Sequence, residues 1–178
     1  MAQDPGEYTK GATLGFSVGG FDFQTAQRIR SSSLASVLKD KQWAKFSEQD
    51  WAIGIHYTKG LGNYFDATAN IAFGSVEYPY GNGKPAATSS ALLTEADAAV
   101  NIKLLTDKHI FVPYLTAGVG MSIYKSFFDA YMPLGAGFQI KLGSENFIFS
   151  NFQYRVPVTQ RANYHFYTNV GIAISIAK

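Results

Sequence analysis

Residues 110–142 alternate with a period of two, twice over, around a short break at 125–129. In the first half Leu115, Ala117, Val119, Met121 and Ile123 share one parity, and Tyr114, Thr116, Gly118, Gly120, Ser122 and Tyr124 share the other. In the second half Leu134, Ala136, Phe138, Ile140 and Leu142 stand against Tyr131, Gly135, Gly137, Gln139 and Lys141. Period two belongs to a strand, and two such runs across a short break form a hairpin. One face stays aliphatic for nearly its whole length, while the other is rich in glycine and carries a lysine. Soluble sheets seldom need strands this long.

The same period places strands at 8–23, 50–59, 65–74, 93–105, 147–156 and 168–177, which makes eight with the hairpin. In the first, Leu14, Phe16 and Val18 give way after Gly19-Gly20 to Phe21 and Phe23, a change of phase that predicts a glycine bulge. The odd-numbered connections run to about 25, 16, 5 and 7 residues and the even-numbered ones to about 4, the asymmetry of long outer loops and short periplasmic turns. No run approaches the apolar length of a membrane helix, but strands that alternate apolar with small or polar residues suit a membrane barrel equally well.

The polar parity decides which solvent each face meets. A soluble barrel turns its apolar parity inward and carries many charges outside. Here the polar parity holds glycine, alanine, serine, threonine and asparagine, with the sparse charges Asp50, Asp66, Glu95, Asp97, Lys103, Lys141 and Arg155. Small residues with a nearly balanced charge set fit the lumen of an eight-stranded barrel, just wide enough for side chains to fill it. The expected fold is therefore all-β: an eight-stranded antiparallel up-and-down transmembrane β-barrel, its apolar face toward lipid. Trp51, Phe73, Tyr124, Phe127, Phe128, Tyr131, Tyr154 and Phe166 are expected as an aromatic belt at the long-loop end, and Tyr57 and Phe65 at the other.

Unpaired charges in a narrow lumen are costly, so Glu95, Asp97 and Arg155 in the outer half, and Asp66, Lys103 and Lys141 in the inner half, are expected to form ion pairs that plug it. The first long loop, 24–48, is basic, with Arg28, Arg30, Lys39, Lys41 and Lys45 against Asp40 and Glu48. Leu34, Val37 and Leu38 after Ser33 predict one or two amphipathic turns there, with Trp43 and Phe46 as further apolar anchors. Arg28, Arg30, Lys39, Lys41, Trp43 and Lys45 are thus candidates for binding lipopolysaccharide or a partner protein, with plain solvation of an exposed loop as the alternative.

Val112-Pro113-Tyr114-Leu115-Thr116-Ala117-Gly118-Val119-Gly120 and Gln153-Tyr154-Arg155 resemble the OmpA-type transmembrane barrel, whose glycine-rich relatives open strand five on Pro-Tyr and carry Tyr-Arg near the end of strand seven. The resemblance covers nearly the whole chain. It implies an outer-membrane anchor of Gram-negative type, often followed by a periplasmic peptidoglycan-binding domain. The chain is expected to be one barrel domain, 1–178, reaching peptidoglycan only through a further C-terminal domain, and to meet outer-membrane lipid, lipopolysaccharide and other outer-membrane proteins.

A net charge of +2 gives no reason to expect nucleic acid. With no cysteine, disulfides and thiolate chemistry are excluded. His56, His109 and His165 fall apart on the strand map, so no metal or other cofactor is expected. A lipid-modifying enzyme needs a hydroxyl beside a histidine with an orienting carboxylate. His165 and Thr168 are the nearest pair in sequence and lack the carboxylate, so no catalysis is expected. The expected role is a non-enzymatic envelope anchor or scaffold. The alternatives are an accessory subunit of a larger outer-membrane assembly, a lipid-modifying enzyme, and a soluble ligand-binding barrel.

Overall fold

The computed structural model describes residues 9–45, 48–78, 89–143, 146–160 and 162–176. Its strands are β1 (Thr13–Asp22), β2 (Asp50–Gly60), β3 (Phe65–Val76), β4 (Ala91–Lys103), β5 (Phe111–Tyr124), β6 (Phe127–Leu142), β7 (Asn146–Pro157) and β8 (His165–Ser175). Two helices, α1 (Phe23–Ser31) and α2 (Leu34–Lys39), follow β1. Each strand pairs antiparallel with the next and β8 returns to β1, so the sheet closes into a barrel with no free edge.

Every strand puts its apolar parity outward. On β5, Val119 is 67% exposed and Leu115 and Met121 about half, while Tyr114, Thr116 and Ser122 are buried. On β2, Trp51, Ile53, Ile55 and Tyr57 are exposed, and on β8 so are Val170, Ile172 and Ile174. A water-soluble barrel would leave this wall as a broad apolar surface, whereas in a bilayer it faces hydrocarbon and the closed ladder pairs each spanning strand with both neighbours.

The glycines of the inner face make room for rings. Gly120 pairs with Tyr131 and Gly137 with Tyr114 across the β5–β6 ladder. A Cβ on Gly120 would sit 2.5 Å from Tyr131 Cζ, and one on Gly137 would sit 2.6 Å from Tyr114 Cζ. A Gly120→Ala barrel is therefore expected to lose about 1–3 kcal/mol from overpacking, measured by urea unfolding in lipid vesicles. Gly62→Ala, where a Cβ meets nothing within 4 Å, leaves the midpoint unchanged. Gly118 and Gly135 answer to a different constraint: their Cβ positions fall on the backbones of β4 and β7 rather than on side chains reaching across the lumen.

Three expectations need correction. No bulge breaks β1, because its register against β2 and β8 is continuous from Thr13 to Phe21. Phe21 belongs to the lumen parity, is fully buried, and lies against the space Gly74 leaves open. The break at 125–129 contracts to Lys125 and Ser126, both at positive φ as a tight hairpin turn requires, with Phe127 already in β6. Tyr124 and Tyr131 are buried inside rather than in the outer belt, because lumen parity outweighs their position near strand ends.

The first long connection is largely helical. Asp22 caps α1, its Oδ1 accepting the Thr25 amide at 2.8 Å, and Ser33 caps α2 by accepting from Ser36 N at 3.1 Å. The turns expected after Ser33 are α2; α1, with the polar run Gln24–Arg30, reads as loop in sequence. Phe46 lies outside the described residues.

Candidate functional site

Two charged networks occupy the lumen. The first lies toward the end carrying α1 and α2, called here the loop end. Arg155, fully buried on β7, donates through Nη1 to Glu95 Oε2 and through Nη2 to Asp97 Oδ2 (3.1 Å) and Gln153 Oε1 (3.3 Å). Asp97 Oδ2 also accepts from Asn70 Nδ2 at 3.0 Å and from the Tyr131 hydroxyl at 3.2 Å. The guanidinium rests on the ring of Tyr167, 4.1 Å from its centroid, with Tyr131 at 4.9 Å. His165 completes the cluster, its Nε2 3.2 Å from Glu95 Oε2 and its Nδ1 3.0 Å from the Asn163 carbonyl. On its loop-end side Phe23, Tyr78 and Tyr124 form a buried apolar lid, in one cluster with Phe21 and Tyr167. Ion pairs under such a lid are poorly screened.

The second network fills the opposite, turn end. Asp66 accepts from Lys103 Nζ on Oδ1 and from Lys10 Nζ on Oδ2, both at 2.7 Å. Asp107 accepts from Lys103 on Oδ2 and from Gln139 Nε2 on Oδ1 at 3.0 Å, and Gln139 Oε1 takes a second bond from Lys10 at 2.7 Å. The Lys10 ammonium also lies 4.5 Å from the centroid of Phe147. Two lysines and two aspartates thus balance in one hydrogen-bonded ring. Between the networks lies a cavity of about 30 Å3, bordered by His56, Asn70, Asn101 and Asn151, with room for about two waters.

The structure brings Glu95, Asp97 and Arg155 together at one end, and Asp66 with Lys103 at the other. Lys141 Nζ instead reaches the main-chain carbonyl of Asp107 at 3.4 Å, and the ammonium at Asp66 Oδ2 is that of Lys10. Strand parity misses Lys10 and Asp107: the first falls on the apolar parity of the expected strand 8–23 but precedes β1, which begins only at Thr13, and the second lies in the turn after β4. Their nearness to Asp66 and Lys103 follows from the register of distant strands. His165 is missed as a plug residue because its sequence neighbour Thr168 diverts it to another role.

His165 points inward and Thr168 outward, so they cannot meet. Ser17 Oγ does lie 2.7 Å from His56 Nε2, but this pair is inside the lumen, with the His56 ring edge-on to Phe149. No cluster of three or more metal-ligating side chains occurs among the described residues.

The basic segment straddles the rim. On the inner side Phe23 packs on Tyr78 and His165. On the outer side the Arg30 guanidinium lies 4.1 Å from the centroid of Tyr164, and Trp43 meets Phe166 edge-on at 6.0 Å. Arg28 pairs loosely with Glu48 at 3.5 Å and donates to the Gln42 carbonyl. The Lys45 amide, and then Arg28, hold the exposed Glu48 carboxyl below its ordinary value. Lys39, Lys41 and Lys45 are exposed.

No protein-family model matches the sequence, and no curated protein does. Among solved structures the chain is similar to the N-terminal β-barrel domain of Pseudomonas aeruginosa OprF, with a TM-score of 0.57 and 11% identity over 93% of this chain and 98% of that one. Neisserial surface protein A, NspA, gives 0.58 and 11% over 95% and 99%. Ail, the attachment invasion locus protein of Yersinia pestis, gives 0.50 and 10% over 92% and 97%. At these identities the likeness is one of fold. That fold is the eight-stranded antiparallel β-barrel of these outer-membrane proteins, and the lipid-facing wall described above belongs in such a membrane.

Proposed function

We propose that the chain is a non-enzymatic outer-membrane barrel that acts as an envelope anchor or scaffold. The observation that carries this reading is the closure of the lumen at both ends, by Arg155 with Glu95 and Asp97, and by Lys10 and Lys103 with Asp66 and Asp107. A lumen filled by paired charges offers neither a water path nor a substrate site, which leaves the outer wall and the loops as the working surfaces.

Two measurements test the proposal. In planar bilayers the purified barrel is expected to give no sustained conductance steps; stable ion-conducting steps at neutral pH contradict a closed scaffold. Deletion of the gene in its source bacterium is expected to raise outer-membrane vesicle release while lipid A and phospholipid acylation stay unchanged by mass spectrometry. Altered acylation that the intact gene restores, and a Ser17→Ala or His56→Ala copy does not, supports the enzyme instead.

A subunit role in a larger outer-membrane assembly is the second reading, and the position of Trp43 on the outside of the wall, where a neighbouring protein would also sit, favours it. Stoichiometric co-purification of other outer-membrane proteins after mild detergent extraction distinguishes the two.

A further inference from the structure

Phe166 carries the observation that leads furthest. Its parity on β8 is outward, yet it is only 7% exposed. Phe152 stacks on it at 5.0 Å, Tyr154 lies at 4.8 Å, and Trp43 covers it from the segment after α2. The chain leaving α2 therefore folds over the outside of the barrel wall at its loop end instead of capping the mouth. Val37 is fully buried, whereas Leu34 and Leu38, one helical turn apart on α2, and Trp43, seated edge-on against Phe166, remain exposed. Arg30, Lys39, Lys41 and Lys45 are exposed in the same segment of chain, and Arg30 is held over Tyr164 at the same rim. Exposed apolar side chains in a segment that Trp43 ties to the lipid-facing wall, with exposed cations among them, have the composition of an element that lies in the membrane interface.

We propose that the α1–α2 hairpin is an interfacial lipid-binding element. Leu34, Leu38 and Trp43 enter the acyl boundary, and Arg30, Lys39 and Lys41 bind the phosphates of lipid A in the surrounding leaflet. The inference rests on the outer-membrane barrel reading and assigns the hairpin's occupant as lipid rather than protein.

The two tryptophans of the chain make the test possible, because Trp51 stands on the barrel wall and Trp43 on the hairpin. Trp51→Phe leaves Trp43 as the only indole, and Trp43→Phe leaves Trp51. Both variants of the full chain are reconstituted in vesicles whose phospholipids carry bromine near the glycerol end of the acyl chain. Quenching of both indoles is the expected result. Quenching of Trp51 alone, with Trp43 open to aqueous iodide, overturns the hairpin proposal, leaves the barrel reading standing and points to a protein partner on that surface. If neither is quenched, the barrel reading itself falls.

The phosphate half is tested with lipid A in nanodiscs that otherwise contain only phosphatidylcholine. An Arg30→Gln/Lys39→Gln/Lys41→Gln variant is expected to bind lipid A about tenfold more weakly at low salt and to lose the salt dependence of the unaltered chain. Equal affinity for the two proteins, or no preference for lipid A over phosphatidylcholine, overturns it.

Discussion

An Arg155→Met barrel is expected to lose about 3–5 kcal/mol of unfolding free energy, the range for removing one partner of a buried pair. Methionine fills much of the space of the arginine stem but leaves Glu95 and Asp97 facing each other beneath the apolar lid of Phe23, Tyr78 and Tyr124. Asn70 and Tyr131 still donate to Asp97, and His165 still faces Glu95, but neither carboxylate retains the guanidinium that bridges them. Urea unfolding in lipid vesicles, followed by tryptophan fluorescence, measures the loss. Adding Glu95→Gln and Asp97→Asn to Arg155→Met is expected to restore most of it, since the penalty is that of unpaired charge rather than of a missing contact. An Arg155→Met barrel as stable as the unaltered one contradicts the plug.

Asp66→Ala is the counterpart at the turn end. It leaves Lys10 and Lys103 with only Asp107 between them, and a loss of about 3 kcal/mol is expected. Lys10→Met in the same chain removes the surplus cation, and the Lys103–Asp107 pair then suffices, so the double variant is expected to be more stable than Asp66→Ala alone. This non-additivity is what distinguishes a coupled ring from independent surface pairs. Simple addition of the two single losses contradicts it. Asp66 and Arg155 share no partners, so losses from the two ends should add.

Strand parity made most of the architecture legible. It assigns Leu115 to Ile123 to lipid and Thr116, Ser122, Asn151 and Gln153 to the lumen, as the structure has them. Parity also predicts that Glu95, Asp97 and Arg155 face one enclosed space, although residues on β4 and β7 meet only because the sheet closes. Parity fails where the backbone is not extended or where a hydrophobic side chain sits on the inner face. Phe21 reads as a shift of phase because a ring is not expected inside a polar lumen, while the space for it is at Gly74, on another strand. Lys10 falls on the outward parity of the expected strand 8–23, but the strand begins only at Thr13 and the lysine side chain turns inward, and Asp107 lies in a turn, where alternation says nothing about direction. The glycine-rich face of β5 and β6 reads as an open polar lining. Its actual cause at Gly120 and Gly137 is the tyrosine opposite each, a cross-strand relation that exists only once the register is known. The helix α1 is hidden for a similar reason: its buried residues Phe23, Thr25 and Ala26 are too small or too few to produce an apolar period.

The orientation of the two faces is tested most directly by oxygen accessibility of spin labels along β5 in bilayers. The chain contains no cysteine, so single cysteines at Leu115, Ala117, Val119 and Met121, and at Thr116 and Ser122, carry one label each. Labels at the first four positions are expected to relax with oxygen dissolved in the hydrocarbon and to be protected from an aqueous nickel chelate, while labels at Thr116 and Ser122 are shielded from both. Protection from oxygen at Leu115, Ala117, Val119 and Met121, with chelate access at Thr116 and Ser122, would contradict the account, because the apolar parity would then face a dry interior and the polar parity water.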